Sequence, residues 1–322
     1  MMVDRSVTTV IDAEKCTGCG LCVEVCPSGT LSIREGKAVV SGDRSLSCGH
    51  CAAVCPMGAV TVQALDPAAS RFATFEADSR WLPHGAFDTA QLVRLMASRR
   101  SCRNFREQPV ERGLLEDLVK IGATAPSGTN SQRWSFTILP DMESVAALGE
   151  QVALFFKRTN RMAEKAWLRR LLSLVGKTEL DRYYRDYYPS VKEALTEWEN
   201  GAADGLFHGA TAAIVVGSGP EASTPAEDAL LAAQNILLAA HSMGLGSCLI
   251  GFAVIPMARD IRVKRAVGIP DEERVHAVIA LGYPDELYLR VAGRKKYVRR
   301  VFGAASRTEP EMDKAPPEAD RR

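Results

Sequence analysis

Four cysteines at positions 16, 19, 22 and 26, closed by Pro27, limit what this chain can fold into more than any other feature. Cysteine is rare, and neither a helix face nor a strand face repeats it every third residue. Thiolates at these spacings hold iron–sulfur clusters. In the two-cluster arrangement the first three ligate one cluster and the fourth reaches across to a second. That predicts another run downstream, and Cys48, Cys51 and Cys55, followed by Pro56, supply it. Zinc is the competing reading, because paired C-x-x-C units also close zinc sites. Zinc, however, needs no compact run of three cysteines followed by a fourth and a proline.

The second run is one thiolate short. By the spacing of the first, it should begin with cysteine at position 45, where Ser45 stands. Cys16, Cys19, Cys22 and Cys55 complete one [4Fe–4S] cluster, while Cys26, Cys48 and Cys51 are left with a hydroxyl as fourth partner. A serine alkoxide is a hard ligand of high pKa, so two outcomes stay open here: a cluster completed by serine or water, or one that is three-iron or absent.

A chain of 322 residues has room for two domains with a sizeable core in the larger. A net charge of +1 gives no bulk electrostatic case for nucleic acid or an anionic membrane. No apolar run reaches the roughly 20 residues needed to span a bilayer, and the start, Met1 to Asp4, has no signal-peptide core. Of nine cysteines, seven sit in the two runs, and Cys102 and Cys248 lie far apart beyond them. Metal thiolates in a reducing cytosol fit this better than a secreted disulfide scaffold, so a cytoplasmic location is expected.

Residues 1–65 read as one unit. Short strands are expected at Thr8–Asp12 and Ala59–Val62, with a hairpin of Thr30–Ile33 and Lys37–Val40 around Glu35 and Gly36. Each half is a strand, a cysteine loop and a short helix, which looks like a duplicated ferredoxin core whose clusters supply much of its stability. Residues 66–87 read as a surface linker. Helices are expected at Thr89–Ser98, Leu114–Ile121 and Asp228–Met243, strands at Trp134–Leu139, Ala212–Val216 and Val275–Leu281, and a helical insertion at about 142–205. The tail, 304–322, reads as disordered.

Four stretches of the larger part suit a phosphorylated ring cofactor. Arg99, Arg100 and Arg103 around Ser101 form a cation-dense turn, and Arg294 to Lys296 form another. Guanidinium forks bind phosphate bidentately. Between them, the loop from Ala125 to Arg133 offers backbone donors and amide side chains. Gly244 to Phe252 is glycine-rich, which lets backbone approach a ligand closely.

Together these stretches resemble the FMN-dependent nitroreductase family from about Asp88 to Gly303, and the whole chain resembles its branch carrying an N-terminal two-cluster ferredoxin. The resemblance implies an α+β architecture: a small ferredoxin-like iron–sulfur domain (1–65), the linker, and a mixed β-sheet surrounded by helices (88–303). It also implies an intertwined homodimer with FMN at the interface. It places Arg99, Arg100, Ser101 and Arg103 on the FMN phosphate and ribityl chain, with Arg294 and Lys295 returning to the phosphate. Pro126, Ser127, Asn130 and Gln132 would border the isoalloxazine ring, and Leu249, Ile250 and Gly251 would present backbone N–H groups near its N5. Where the family loop often has proline, Arg133 stands here.

The chemistry this implies is a relay. A low-potential donor, ferredoxin or NAD(P)H, feeds the clusters and FMN, which reduce an electron-poor small molecule such as a nitroaromatic or quinone. Two alternatives remain: a flavin dehydrogenase or reductase with a dedicated substrate selected by the 142–205 insertion, and an electron-transfer module serving a protein partner. Cys102 and Cys248 read as small buried hydrophobes. His208 and His241 have no triad company, so hydrolase chemistry has no support. No catalytic acid or base is assigned.

Overall fold

The computed structural model describes residues 4–302, and the expected tail from 304 lies outside the described residues. The N-terminal unit contains β1 (Thr9–Ile11), α1 (Leu21–Glu24), β2 (Leu31–Arg34), β3 (Lys37–Val40), α2 (His50–Ala53) and β4 (Val60–Val62). β1 pairs with β4 and β2 with β3, each antiparallel. The expected hairpin turns through Glu35 and Gly36, both at positive φ. Each cysteine run enters its helix through a left-handed glycine, Gly20 after Cys19 and Gly49 after Cys48. A side chain at those torsions would be strained, so glycine lets the chain swing from loop to helix within one residue. The buried apolar set is small: Leu31, Ala38, Ala59, Val60 and Val62, packed with Cys16, Cys22 and Cys51.

The connecting stretch is clipped rather than free. The buried carboxylate of Asp117 accepts the N–H groups of Ala73 and Thr74 at 2.8 Å each and the Thr74 hydroxyl at 2.7 Å.

The larger unit comprises α3 (Thr89–Ser98), α4 (Arg112–Gly122), β5 (Trp134–Leu139), α5 (Met142–Ala163), α6 (Ala166–Leu174), α7 (Glu179–Asp186), α8 (Tyr188–Glu199), β6 (Ala212–Ser218), α9 (Pro225–Ser242), β7 (Gly246–Leu249), α10 (Gly251–Arg259), α11 (Ile261–Arg265) and β8 (Arg274–Gly282). Its sheet runs β5-β6-β8-β7 with antiparallel ladders, and the segment after α3 adds a parallel bridge from Ser101 to Ser247. Alternation along the central strands divides the core in two. Val215 and Val278 face α5 and α10, where they pack with Leu148, Val152 and Met257. Ile214 and Ile279 face α4 and α9, where they pack with Leu115, Leu118 and Ile236. The fold is thus α+β, a sheet covered by helices on both faces.

Two boundaries differ from the sequence reading. α9 starts at Pro225, ahead of Asp228, because proline at the first helical turn sacrifices no hydrogen bond. Gly246–Leu249 is a strand rather than an open glycine loop. A Cβ at Gly246 would come within 2.8 Å of Cys102 Sγ, so this glycine makes room for the neighbouring protein segment.

Candidate functional site

The seven expected thiolates separate into the two sets that the spacing implies. One cavity is lined by Cys16, Cys19, Cys22 and Cys55, the other by Cys26, Cys48, Cys51 and Ser45. The sulfurs receive backbone N–H groups: Ala38 to Cys16 and Thr30 to Cys26 at 3.4 Å, and Ala59 to Cys55 at 3.3 Å. Such donors stabilise thiolate charge. The Cys16 thiol is accordingly pulled down, by the N–H groups of Ala38 and Gly18. For Cys26 burial pushes upward, but donors from Thr30, Ser28 and Gly29 outweigh it and the thiol ends below its ordinary value. Cys22 and Cys51 are pushed up, first by burial and then by neighbouring thiolates: Cys16, Cys55 and Cys19 around the former, Cys26 and Cys48 around the latter. Converging thiolates that repel one another ask for cationic iron between them, so the donor set fits a cluster. His50 is exposed.

The cationic stretches meet at a second kind of site. Arg99 and Arg100 line a cavity of about 360 Å³ with His241, Ser247, Glu286 and the irregular segment from Tyr288 to Val291. Burial, then repulsion from Arg100 and Arg294, pulls the Arg99 guanidinium below its usual value. Among the described residues, no carboxylate stands within salt-bridge distance of Arg99, Arg100 or Arg294. Glu286, on the same wall, spends its oxygens on Cys102 Sγ, the Arg103 N–H and Asn104 Nδ2. The hydroxyl of Ser247, 2% exposed, has no hydrogen-bond partner among the described residues. Clustered cations and an orphaned hydroxyl lining one cavity fit a phosphate.

Three expected residues fall elsewhere. Ser101 is held by its bridge to Ser247, and Arg103 is exposed beside His208, which is drawn down by burial and then by that arginine. Neither lines the cavity. Lys295 is exposed.

The amide loop is a separate construction at the other end of α9. Asp228, 3% exposed, accepts from Gly128 N–H at 2.8 Å and from Thr224 Oγ1 at 2.7 Å, and its carbonyl accepts from Trp134 Nε1. The Ser127 hydroxyl accepts the Gln132 N–H, and Asn130 Oδ1 accepts from Gln132 Nε2, both at 3.0 Å. Asn130 Nδ2 donates to the carbonyls of Leu46 and Ser47. Pro126 and Gln132 are exposed. Asp228 and His241 mark the two ends, 13 residues apart on one helix (241 − 228), or about 20 Å of axial rise. A protomer therefore keeps its arginine cavity and its amide loop apart. Arg133 pairs with Glu221 at 2.7 Å.

Of the N5 group, Ile250 N–H is already bonded to Val278 O at 2.8 Å, which leaves Gly251, heading α10, and exposed Leu249 as the presenting positions. Beyond them Phe252 joins Phe156, Val152, Val191 and Trp198 around an apolar cavity of about 240 Å³ between α5 and α8. The tyrosine cluster packs on this insertion. Tyr183 stacks on Phe156 and donates to Asn160 Oδ1 at 2.6 Å.

Sequence reasoning missed Asp228, Ser247 and Glu286. An acidic residue in the first turn of an apolar helix was the available signal for Asp228, and nothing local marks the other two.

Comparisons with known proteins agree with both halves. A model described as the nitroreductase family matches residues 96–283, more than half of the chain, and one described as a 4Fe-4S binding domain matches residues 9–32. A putative NADH dehydrogenase/NAD(P)H nitroreductase of Archaeoglobus fulgidus is 25% identical over 202 residues, 61% of this chain and 87% of its own. An iodotyrosine deiodinase of Thermotoga neapolitana is 28% identical over 200 residues, 61% of this chain and 89% of its own. A solved nitroreductase with bound FMN from Bacteroides fragilis covers 69% of this chain and 99% of its own, at 22% identity and a TM-score of 0.45. Among the described residues no helix is long and apolar enough to cross a membrane.

Proposed function

The chain belongs to the nitroreductase family, and on that premise we propose that it is an FMN- and iron–sulfur-dependent oxidoreductase that passes electrons from a low-potential donor to an electron-poor small molecule. The observation that carries the flavin half is the cavity lined by Arg99, Arg100 and Ser247, whose hydroxyl is orphaned, with Arg294 near enough to repel Arg99. When bound, the clusters supply single-electron carriers and FMN supplies a centre that takes single electrons and delivers pairs.

The protein's own residues do the rest. Arg99, Arg100 and Arg294 neutralise the phosphate and Ser247 donates to it. Glu286 fixes residues 102–104 to the segment that follows β8 through three hydrogen bonds. Asp228 rigidifies the amide loop that borders the ring. Gly251 offers its N–H at the start of α10, where the helix dipole favours negative charge.

Because cavity and loop lie about 20 Å apart along α9, one FMN takes its phosphate cavity from one protomer and its amide loop from a second copy. Exposed Leu92, Val93 and Met96 of α3, Leu230 and Leu231 of α9, and the extended arm through Leu287, Leu289, Tyr297 and Phe302 supply apolar surface for such a homodimer. The donor is a reduced ferredoxin or NAD(P)H, and the acceptor is a nitroaromatic, a quinone or a similar compound.

A second reading, a reductase with a dedicated substrate, is favoured by the apolar, aromatic-lined cleft of the insertion beside Phe252. The deciding experiment is anaerobic turnover with reduced ferredoxin over a panel of nitroaromatics and quinones. Broad reduction with FMN released on denaturation is expected. Colourless protein without flavin would end the proposal.

A further inference from the structure

The amide loop and the second cysteine loop meet through one side chain. Asn130 Nδ2 donates to Leu46 O at 2.9 Å and to Ser47 O at 3.3 Å, while Gln132 Nε2 holds its Oδ1 from the other end. Both loops use backbone that residues with side chains avoid, with φ 48° at Ser47, 52° at Thr129, 55° at Asn130 and 47° at Gln132. Torsions of this kind persist only where the surroundings over-determine them.

The gripped segment begins at Ser45 and runs into Cys48. Leu46 and Ser47 line the cavity of Cys26, Cys48 and Cys51, and neither lines the other thiolate cavity. Ser45 is 9% exposed, and its N–H is tied to Arg5 O at 2.8 Å. Its Oγ accepts the Ser47 N–H at 3.0 Å. The hydroxyl is thereby fixed in the cavity wall, with an N–H donor on its oxygen as the sulfurs of Cys16, Cys26 and Cys55 have on theirs.

We infer that this cavity is an iron–sulfur site with one oxygen corner supplied by Ser45, and that Asn130 holds it as the site facing the flavin loop. Ser45 binds as the alkoxide, its Oγ–iron bond forming as the hydroxyl proton leaves to solvent. Asn130 acts as a positioning residue, touching neither iron nor flavin through its amide. The flavin-facing part rests on the function proposed above. An alkoxide oxygen is harder than a thiolate and stabilises ferric iron more, so this corner sets the potential of its centre below that of a four-thiolate equivalent.

The test uses full-length protein isolated anaerobically, comparing wild type with Ser45→Ala, Ser45→Cys and Asn130→Ala. Iron, sulfide and FMN are counted, dithionite-reduced samples are measured by electron paramagnetic resonance, and amide hydrogen exchange is followed. Wild type is expected to hold iron for two four-iron centres per FMN. Ser45→Ala loses iron from one centre and keeps both FMN and the signal of the other. Ser45→Cys keeps the iron, changes one signal and raises that centre's potential. Asn130→Ala speeds exchange across residues 44–49 by about tenfold, the loss of about one hydrogen bond, with residues 16–24 unchanged. Identical iron counts and signals in wild type and Ser45→Ala would overturn the ligand assignment. Unchanged exchange at 44–49 would overturn the clamp. Iron at both sites without FMN would overturn the flavin-facing assignment alone and would count against the proposed function.

Discussion

The thiol of Cys102 donates to Glu286 Oε2 at 2.8 Å, joining the arginine turn to the segment that follows β8. The same carboxylate takes the Arg103 N–H at 3.0 Å and Asn104 Nδ2 at 3.1 Å. One half-buried acid thus sets the course of the stretch that delivers Arg99 and Arg100 to their cavity.

Burial, followed by Glu286, pushes the Cys102 thiol up to about 12. It is therefore protonated and inert at neutral pH. Native alkylation at pH 8 followed by peptide mass spectrometry should leave Cys102 unmodified, whereas Glu286→Ala should expose it to the reagent. Rapid labelling in the wild type would contradict this.

Arg99→Ala with Arg100→Ala should weaken FMN binding by 100-fold or more, about 2.7 kcal/mol, since two charge-assisted hydrogen-bond donors are lost. Iron content should not change, because the thiolate cavities share no residue with the arginine cavity. Fluorescence of released flavin beside an iron assay measures both.

The separation of cavity and loop along α9 predicts complementation between subunits. Co-expressing the Arg99→Ala, Arg100→Ala chain with an Asp228→Ala chain should give mixed dimers that retain one intact flavin site. Flavin per dimer should be about half of wild type in the purified heterodimer, against little in either homodimer. Equal loss in all three would place the whole site within one protomer.

Asp117 makes the connecting stretch sensitive to acid. Burial pushes its carboxyl upward, but the donors of Ala73 and Thr74 outweigh this and hold it below the ordinary value of 3.8. The unfolded chain then binds this proton more readily than the folded one. The stabilisation is complete above about pH 4 and is lost as pH falls through the folded value. Proteolysis within residues 71–76 should rise below pH 4. Asp117→Ala should show that susceptibility at neutral pH, at a cost of about 1–3 kcal/mol in stability.

The fold was legible wherever one local pattern decided it. The hairpin around Glu35 and Gly36, the strand Trp134–Leu139 and the helix Thr89–Ser98 fall where the sequence places them. So do the two thiolate sets, because fixed cysteine spacing encodes them. The closeness of Gly246 to Cys102 was not legible, because that partner segment lies more than a hundred residues earlier in the chain. Asn130 was assigned to the flavin ring on the strength of its loop, yet its amide is taken by Leu46 and Ser47, 83 or more residues earlier. Glu286 and Ser247 owe their roles to contacts across the sheet edge, which no local window contains.

The central claim is that reduced thiolate-bound iron at the front of the chain feeds a flavin held behind it. Its most direct measurement mixes anaerobic protein with reduced ferredoxin and follows flavin bleaching near 450 nm, in wild type and in Cys55→Ala. The account predicts bleaching within the dead time to seconds in wild type and a rate lower by about 100-fold or more in the variant at equal FMN content. Equal rates in the two proteins would contradict it.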